Sequence, residues 1–245
     1  MHQLFNIKEK LGYSVLYQDI GRRGYEETWK LQEDIFKRLV DSKLKKSSAG
    51  SQDDADSRGT LIFVEHPHVY TLGRSGSENN LLIDLIQLQA KEASFVKTDR
   101  GGDITYHGPG QIVGYPIFDL ERIGIGLKDY IFYLEQAIIN TLQEFRITGS
   151  RLDGATGVWF DPDKKGKARK ICAIGVKASR YVTMHGFAFN VNTDLNYFNY
   201  INPCGFTDKG VTSLEKELGE KQDFESVKLI VRKNLGLTFG LNWIN

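Results

Sequence analysis

The spacing of apolar residues predicts helices and strands interspersed along the chain. Apolar side chains recur at helical spacing in residues 25–40, 127–145 and 224–235, which is typical of helices with one buried face. Short apolar or alternating runs predict strands at 13–19, 60–66, 94–99, 111–120, 169–177 and 183–191. Because strands and helices do not alternate strictly, the pattern favours an α+β domain with a mixed sheet flanked by helices.

Two segments depart from these patterns. Pro116 has no N–H to donate to a sheet, so the strand at 111–120 is expected at a sheet edge or with a bulge. Residues 45–59 contain no large apolar side chain. They are predicted to form a flexible insertion in a surface loop of one domain that spans residues 1–245.

Composition and charge exclude several classes of protein. The chain has 245 residues, of which 40% are apolar, and a formal net charge of +1. Such a chain can bury a sizeable core and has no global basic field of the kind that dominates nucleic-acid binding. We find no secretory signal and no apolar run long enough to span a bilayer. Two cysteines make no disulfide framework, so a cytoplasmic protein with reduced thiols is expected.

Glycines are concentrated at 100–111, RGGDITYHGPGQ. This density indicates either two ordinary turns around a short strand or backbone brought close to a ligand. The segment matches neither a phosphate-binding loop nor a dinucleotide fingerprint.

Two rows of small residues lie on the predicted strands 169–177 and 183–191. Ala173 and Gly175 share one face of the first strand, and Gly186 and Ala188 share one face of the second. If apposed, they form a smooth groove that fits a linear alkyl chain. The alternative is that a helix packs closely on this face.

The two cysteines lie in different surroundings. Cys204 stands between Pro203 and Gly205, which predicts a tight turn where a nucleophile is accessible. Cys172 lies within an apolar strand and is expected to be inert packing. A free thiol has a pKa near 8.5 and needs a cationic or basic neighbour to react at neutral pH. The spacing leaves Lys170, His107 and His185 open as that neighbour.

Two further features have alternative interpretations. The histidines at 66, 68, 107 and 185 make a metal site conceivable, although no zinc-binding motif is present, and we expect no metal. The run KKGKARK at 164–170 has five basic residues out of seven. It is either a solvated loop or a docking patch for an acidic partner.

Three blocks of sequence carry a family resemblance. The segments RGGDITYHGPGQIVGYPIFDL, RKICAIGVKASRYVTMHGFAFNV and NPCGFTDKGVTSL together resemble the lipoyl(octanoyl) transferases, and the resemblance spans about residues 13–240. It implies the biotin/lipoate protein ligase fold. It also implies transfer of an octanoyl group from acyl carrier protein to one lysine of a lipoyl domain through a cysteine thioester, the first step of endogenous protein lipoylation.

The same resemblance implies roles for individual residues. The acylated cysteine falls on Cys204, and the lysine that lowers its pKa falls on Lys170. The residues implied to bind the acyl chain are Arg100, Gly101, Gly102, Asp103, Ile104, Thr105, Tyr106, His107, Ala173, Ile174, Gly175, Gly186, Phe187 and Ala188.

The implied partners are acyl carrier protein and the lipoyl domains of 2-oxoacid dehydrogenase complexes and of the glycine cleavage H protein, with no nucleic acid and no membrane. No cofactor and no ATP are expected, because passing an acyl group from a thioester to an amide is downhill. Two alternatives stay open: an ATP-dependent lipoate or biotin ligase of the same fold, and a non-catalytic binder of lipoyl domains.

Overall fold

Residues 12–46, 57–202 and 209–244 are described by the structure, a computed structural model. The strands are β1 (Tyr13–Arg22), β2 (Gly59–Glu65), β3 (Val69–Leu72), β4 (Ser94–Lys97), β5 (Ile104–His107), β6 (Gln111–Ile117), β7 (Ser150–Leu152), β8 (Ala155–Phe160), β9 (Arg169–Ser179), β10 (Val182–Asn190), β11 (Gly210–Val211) and β12 (Leu241–Ile244). The helices are α1 (Tyr25–Lys46), α2 (Leu85–Ala90), α3 (Leu120–Ile123), α4 (Leu127–Glu144), α5 (Leu214–Leu218) and α6 (Phe224–Phe239). The predicted succession of long helices and strands is present, and the short elements β3, β5, β7, β8, β11, β12, α2, α3 and α5 were not predicted.

Within the described residues, the larger sheet has nine strands, in the order β12-β1-β2-β6-β10-β9-β8-β7, with β11 paired to β9. Strand β1 is parallel to β2 and β12, and β11 is parallel to β9, whereas β2, β6, β10, β9 and β8 pair antiparallel in that order. The predicted mixed sheet is therefore confirmed. A smaller sheet in the order β4-β3-β5 was not foreseen: of its strands only β4 was predicted, and β3 and β5 have four residues each.

Helices cover both faces of the larger sheet. On one face, α4 and α6 bury a stripe that includes Leu134, Ile138 and Leu142 against the strands. Leu127, the first residue of the helix predicted over 127–145, is 43% exposed. On the other face, Ile35 and Leu39 of α1 pack against β2, β6 and β10. Helix α1 runs six residues beyond its predicted end at residue 40.

Strand β6 lies inside the sheet between β2 and β10, so of the two alternatives predicted for Pro116, an edge or a bulge, the edge position is wrong. The strand tolerates proline because its ladder to β10 stops at Gly114, two residues earlier. The hydroxyl of Thr183 fills the interruption, since it donates to Pro116 O (2.8 Å) and accepts from Phe118 N (3.0 Å).

The predicted insertion at 45–59 is too wide at both ends. Lys45 and Lys46 end helix α1, and Gly59 begins β2. Residues 47–56 lie outside the described part of the chain.

Strands β9 and β10 form the predicted hairpin. Arg180 and Tyr181, between them, both have positive φ (51° and 63°), as a two-residue type I′ turn requires. The tight turn fixes the register of the two strands.

Candidate functional site

A cavity of about 700 Å³ lies beside the β9–β10 hairpin. This volume falls within the usual range for small-molecule sites. Of the residues expected to bind an acyl chain, all but one line it: Arg100, Gly101, Gly102, Asp103, Ile104, Thr105, His107, Ala173, Ile174, Gly175, Gly186, Phe187 and Ala188. Segments that are far apart in sequence therefore meet at one wall.

Tyr106 is the exception. Its side chain is fully buried in a separate cluster with Tyr70 and Leu72, and its hydroxyl bonds His68 Nδ1 (2.7 Å). Thr105 and His107, its neighbours on β5, point to the opposite face of the strand and line the cavity. Ile104, at the start of β5, both lines the cavity and belongs to the cluster of Tyr106. The structure thus places Tyr106 behind the cavity wall.

The two rows of small residues lie directly opposite each other across the hairpin. Gly175 pairs with Gly186, and Ala173 pairs with Ala188. Helix α1 covers part of this face, since Ala188 also belongs to the cluster that contains Leu39. The predicted groove and its alternative, a packed helix, are therefore both partly present.

The glycine-rich loop closes over these rows. Gly101 N donates to Val176 O (2.9 Å), and a Cβ on Gly175 would stand 2.8 Å from Gly101 O. Arg100 donates to Thr71 O (2.7 Å), which ties the loop to β3. The close approach of the loop to β9 explains why position 175 carries no side chain.

Asp103 holds the loop from the other side. Its carboxylate accepts from Ile104 N (2.7 Å) and from Asn80 Nδ2 (2.6 Å).

Three histidines are buried in the described part of the chain, and each has a defined hydrogen-bond partner. His107 Nδ1 donates to Gln111 Oε1 (2.9 Å), His185 Nε2 donates to Asp99 Oδ1 (2.7 Å), and His66 Nδ1 donates to the carbonyl of residue 23 (2.8 Å). Burial lowers the pKa of His66 to about 4, and it also lowers the pKa of His107 and that of His185. Neutral imidazoles of this kind supply no positive charge at neutral pH.

Among the residues that the structure describes, no three or more His, Cys, Asp or Glu side chains are grouped so that they could hold a metal ion.

A β-bulge directs Lys170 into the cavity. Val158 and Trp159, adjacent on β8, pair with Cys172 and Lys170 on β9, so Ile171 is an extra residue. Ile171 and Cys172 are both fully buried in the same core cluster, whereas Lys170 and Ala173 both line the cavity. A bulge re-aims the side chains that follow it, and here it brings Lys170 to the face that carries the small residues.

Cys172 has the surroundings of a packing residue, as predicted. Its side chain is fully buried in the core, and burial raises the pKa of its thiol well above the ordinary value. A thiol in this state is a poor nucleophile.

Cys204 lies outside the described residues, which stop at Asn202 and resume at Lys209. Both of these flanking residues line the cavity. Asn202 N donates to Asn80 O (2.8 Å), and Val211 pairs with Lys170. Both ends of the gap in the described residues therefore lie at the cavity wall. The strand that follows the gap, β11, pairs with Lys170.

Two buried amides at the wall were missed from the sequence. Gln111 Nε2 donates to Asn190 Oδ1 (2.9 Å), and Asn190 Nδ2 donates to Thr212 O (2.9 Å). Thr212 N in turn donates to Lys170 O (2.9 Å). The sequence did contain an indication of these amides, because each is a polar side chain at the end of an otherwise apolar strand. Burying such a side chain is costly unless it is hydrogen-bonded.

The basic run at 164–170 divides into two parts. Lys164, Lys165 and Lys167 are exposed, although Lys164 pairs with Asp161 (2.6 Å). Arg169 makes a two-pronged ion pair with Glu217 (2.6 Å) and is part of the protein's own structure. The three lysines are therefore exposed, and Lys164 is already ion-paired within the protein.

None of the described helices has the length and apolar character needed to cross a membrane.

Comparison with known sequences gives a consistent picture. A family model described as the lipoyl protein ligase A/B catalytic domain matches residues 25–236. An octanoyltransferase from Parabacteroides distasonis is 55% identical over 219 residues, which cover 89% of this chain and 96% of that protein. One from Cytophaga hutchinsonii is 50% identical over 229 residues, covering 94% of each chain. One from Porphyromonas gingivalis is 54% identical over 224 residues, which make up 90% of this chain but 44% of that longer protein.

Comparison with solved structures shows the fold. A bi-partite lipoate protein ligase from Thermoplasma acidophilum superposes with a TM-score of 0.64 at 13% identity, covering 96% of this chain and 86% of that one. Lipoate-protein ligase A bound with ATP gives a TM-score of 0.66 at 12% identity, covering 96% and 89%. The expected ligase-like α+β fold is therefore confirmed.

Proposed function

The chain belongs to the lipoyl protein ligase A/B catalytic domain family, and on that premise we propose that it transfers an octanoyl group from acyl carrier protein to a lysine of lipoyl domains. The family resemblance seen in the sequence is confirmed, and the relatives named octanoyltransferase make the chain an enzyme of the acyltransferase class. The donor, the thioester intermediate and the roles of single residues are proposals.

One observation carries the proposal. The bulge in β9 brings Lys170 onto the wall that the paired rows of small residues build, and the stretch that bears Cys204 begins and ends at that wall. A cation, a smooth groove for an alkyl chain and a cysteine-bearing segment are what acyl transfer through a thioester requires.

In the first step, the Cys204 thiolate attacks the carbonyl carbon of the octanoyl thioester on the carrier's pantetheine. The resulting oxyanion collapses, the carbon–sulfur bond to pantetheine breaks, and the Lys170 ammonium gives its proton to the leaving sulfur. The products are octanoyl-Cys204 and the free pantetheine thiol.

In the second step, Lys170, now neutral, accepts a proton from the incoming lysine as its amine attacks octanoyl-Cys204. An amide bond forms, the bond to the Cys204 sulfur breaks, and the thiolate and the Lys170 ammonium are restored. Because an amide is more stable than a thioester, the reaction as proposed uses no ATP and no metal.

Intact-mass spectrometry after incubation with octanoyl-carrier protein tests this function. We expect an adduct of one octanoyl group, mapped to the peptide with Cys204, that disappears when a lipoyl domain is added. Cys172→Ala should keep the adduct and Cys204→Ala should lose it. An adduct on Cys172, or modification of the lipoyl domain only with octanoate and ATP, would overturn the mechanism, the latter in favour of a ligase.

A further inference from the structure

Trp159 and Lys170 are directly opposed across strands β8 and β9. The Lys170 ammonium lies 4.6 Å from the centre of the Trp159 ring. A cation within about 6 Å of the face of an indole is attracted by the negative potential of the ring, and tryptophan gives the strongest such contact.

The protein fixes the orientation of this ring. The side chain of Trp159 is 2% exposed, and its Nε1 donates to Ala155 O (3.0 Å) within the same strand. The indole N–H is hydrogen-bonded and the ring is packed, so the ring face is already turned toward the ammonium of Lys170. The contact with the charged lysine therefore costs no side-chain entropy of Trp159.

The aliphatic part of Lys170 packs against a second residue of β8, Gly157. Gly157 has φ +123°, and a Cβ there would stand 2.4 Å from Cys172 O and 3.4 Å from Lys170 Cε. Gly157 N donates to Glu135 Oε1 (2.9 Å), which anchors this stretch of β8 to α4. The stem of Lys170 therefore lies along bare backbone, while its charged end meets the indole.

We propose that Trp159 is a positioning residue that holds Lys170 in its charged form and in one orientation at the cavity wall. Neither the resemblance nor the comparisons assign a role to this residue. Its consequence for catalysis rests on the proposed function, because only then does the ammonium stabilise a Cys204 thiolate and protonate the leaving pantetheine.

A series of fluorinated tryptophans at position 159 tests the contact without changing the shape of the side chain. Each added fluorine withdraws electron density from the face of the ring and weakens its attraction for a cation. The charged groups near this part of β9, which include Glu135, Arg169 and Lys209, stay the same throughout the series.

The first measurement does not depend on enzymatic activity. Limited acetylation with acetic anhydride at fixed pH, followed by peptide mass spectrometry, reports how much neutral amine Lys170 presents relative to Lys233 in the same sample. We expect the relative rate at Lys170 to rise stepwise with fluorine number, by about three- to tenfold over the series. The same fluorinated residues at Trp243, whose ring lies 5.1 Å from the Arg232 guanidinium, should leave Lys170 unchanged.

The second measurement is octanoyl transfer by the same proteins. As fluorine number rises, kcat should fall while KM for octanoyl-carrier protein stays constant, and Trp159→Phe should lie between wild type and the most fluorinated member. Acetylation of Lys170 that does not change along the series would overturn the proposal. If acetylation follows the series while the wild type transfers no octanoyl group, the contact stands and the proposed function fails.

Discussion

Replacing Ala173 by leucine should shorten the acyl chain that the enzyme prefers. Ala173 lines the cavity and lies three residues from Lys170 along β9, or roughly 10 Å at 3.3 Å per residue. A leucine side chain at this position would enter the path of an acyl chain that starts beside Lys170. Ala188 lies directly opposite, so the chain could not move aside toward β10 without meeting another side chain.

The size of the effect follows from the methylenes that lose their contact with the wall. Each buried methylene contributes about 0.8 kcal/mol, so displacing the last two methylenes of an octanoyl group costs about 1.6 kcal/mol. That cost corresponds to a factor of about 15 in kcat/KM. The kcat/KM for a hexanoyl group, which lacks those two methylenes, should change little.

The assay compares kcat/KM for hexanoyl-, octanoyl- and decanoyl-carrier protein in wild type and Ala173→Leu. Ala178→Leu is the matched control, because Ala178 lies on the same strand but is exposed beyond the cavity. The control should keep the wild-type preference, and both variants should unfold within a few degrees of wild type. A loss of equal size for all three chain lengths would refute the assignment of this face as the wall that contacts the acyl chain.

Three further predictions concern charge. Lys170→Ala should raise the pH at which Cys204 begins to react with iodoacetamide toward the free-thiol pKa near 8.5, whereas a shift caused by His107→Ala or His185→Ala instead would assign the role to histidine. Charge reversal at the exposed residues Lys164, Lys165 and Lys167 should raise KM for the acyl carrier protein and make that KM less dependent on salt concentration. If the KM of the variant depends on salt as strongly as that of wild type, the loop is only solvated and does not bind the carrier. Hydrogen bonds from His185 and Lys177 lower the pKa of Asp99, so the Asp99 carboxylate stabilises the fold above its unfolded pKa near 4, and this stabilisation is lost as the pH falls further. Asp99→Asn should therefore lower Tm at pH 7 by about 2 to 4 °C, which corresponds to about 1 kcal/mol. If the Tm difference between wild type and Asp99→Asn does not narrow below pH 4, the stabilisation does not come from the charged carboxylate.

Sequence pattern predicted well those features that depend on local periodicity. The long helices and the β9–β10 hairpin have strong 3.6- and 2-residue patterns, and a short turn between two strands leaves little choice of register. For that reason the facing of Ala173 and Ala188 follows from the spacing of residues along the two strands. The resemblance supplied what periodicity could not, namely that the distant 100–107 segment belongs to the same wall.

Features fixed by distant contacts were missed. Strands β3 and β5 are only four residues long and are defined by pairing with each other, so no pattern within either identifies them. The interior position of Pro116 depends on the hydroxyl of Thr183, which lies 67 residues away. The buried position of Tyr106 behind the cavity wall was not foreseen, because the motif was carried over as one continuous stretch.

The orientation of Lys170 shows how this limit bears on function. By strict alternation along β9, Lys170 would share a face with Cys172, which is buried in the core, and would point away from Ala173. The extra residue at the bulge reverses that alternation, so Ile171 and Cys172 both enter the core and Lys170 emerges beside the small residues. On the facing strand, the bulge coincides with Gly157, whose positive φ and close approach to Cys172 O exclude an ordinary side chain. The placement of the proposed catalytic lysine is thus determined jointly by two strands, and the glycine that permits it lies 13 residues before the lysine in the sequence.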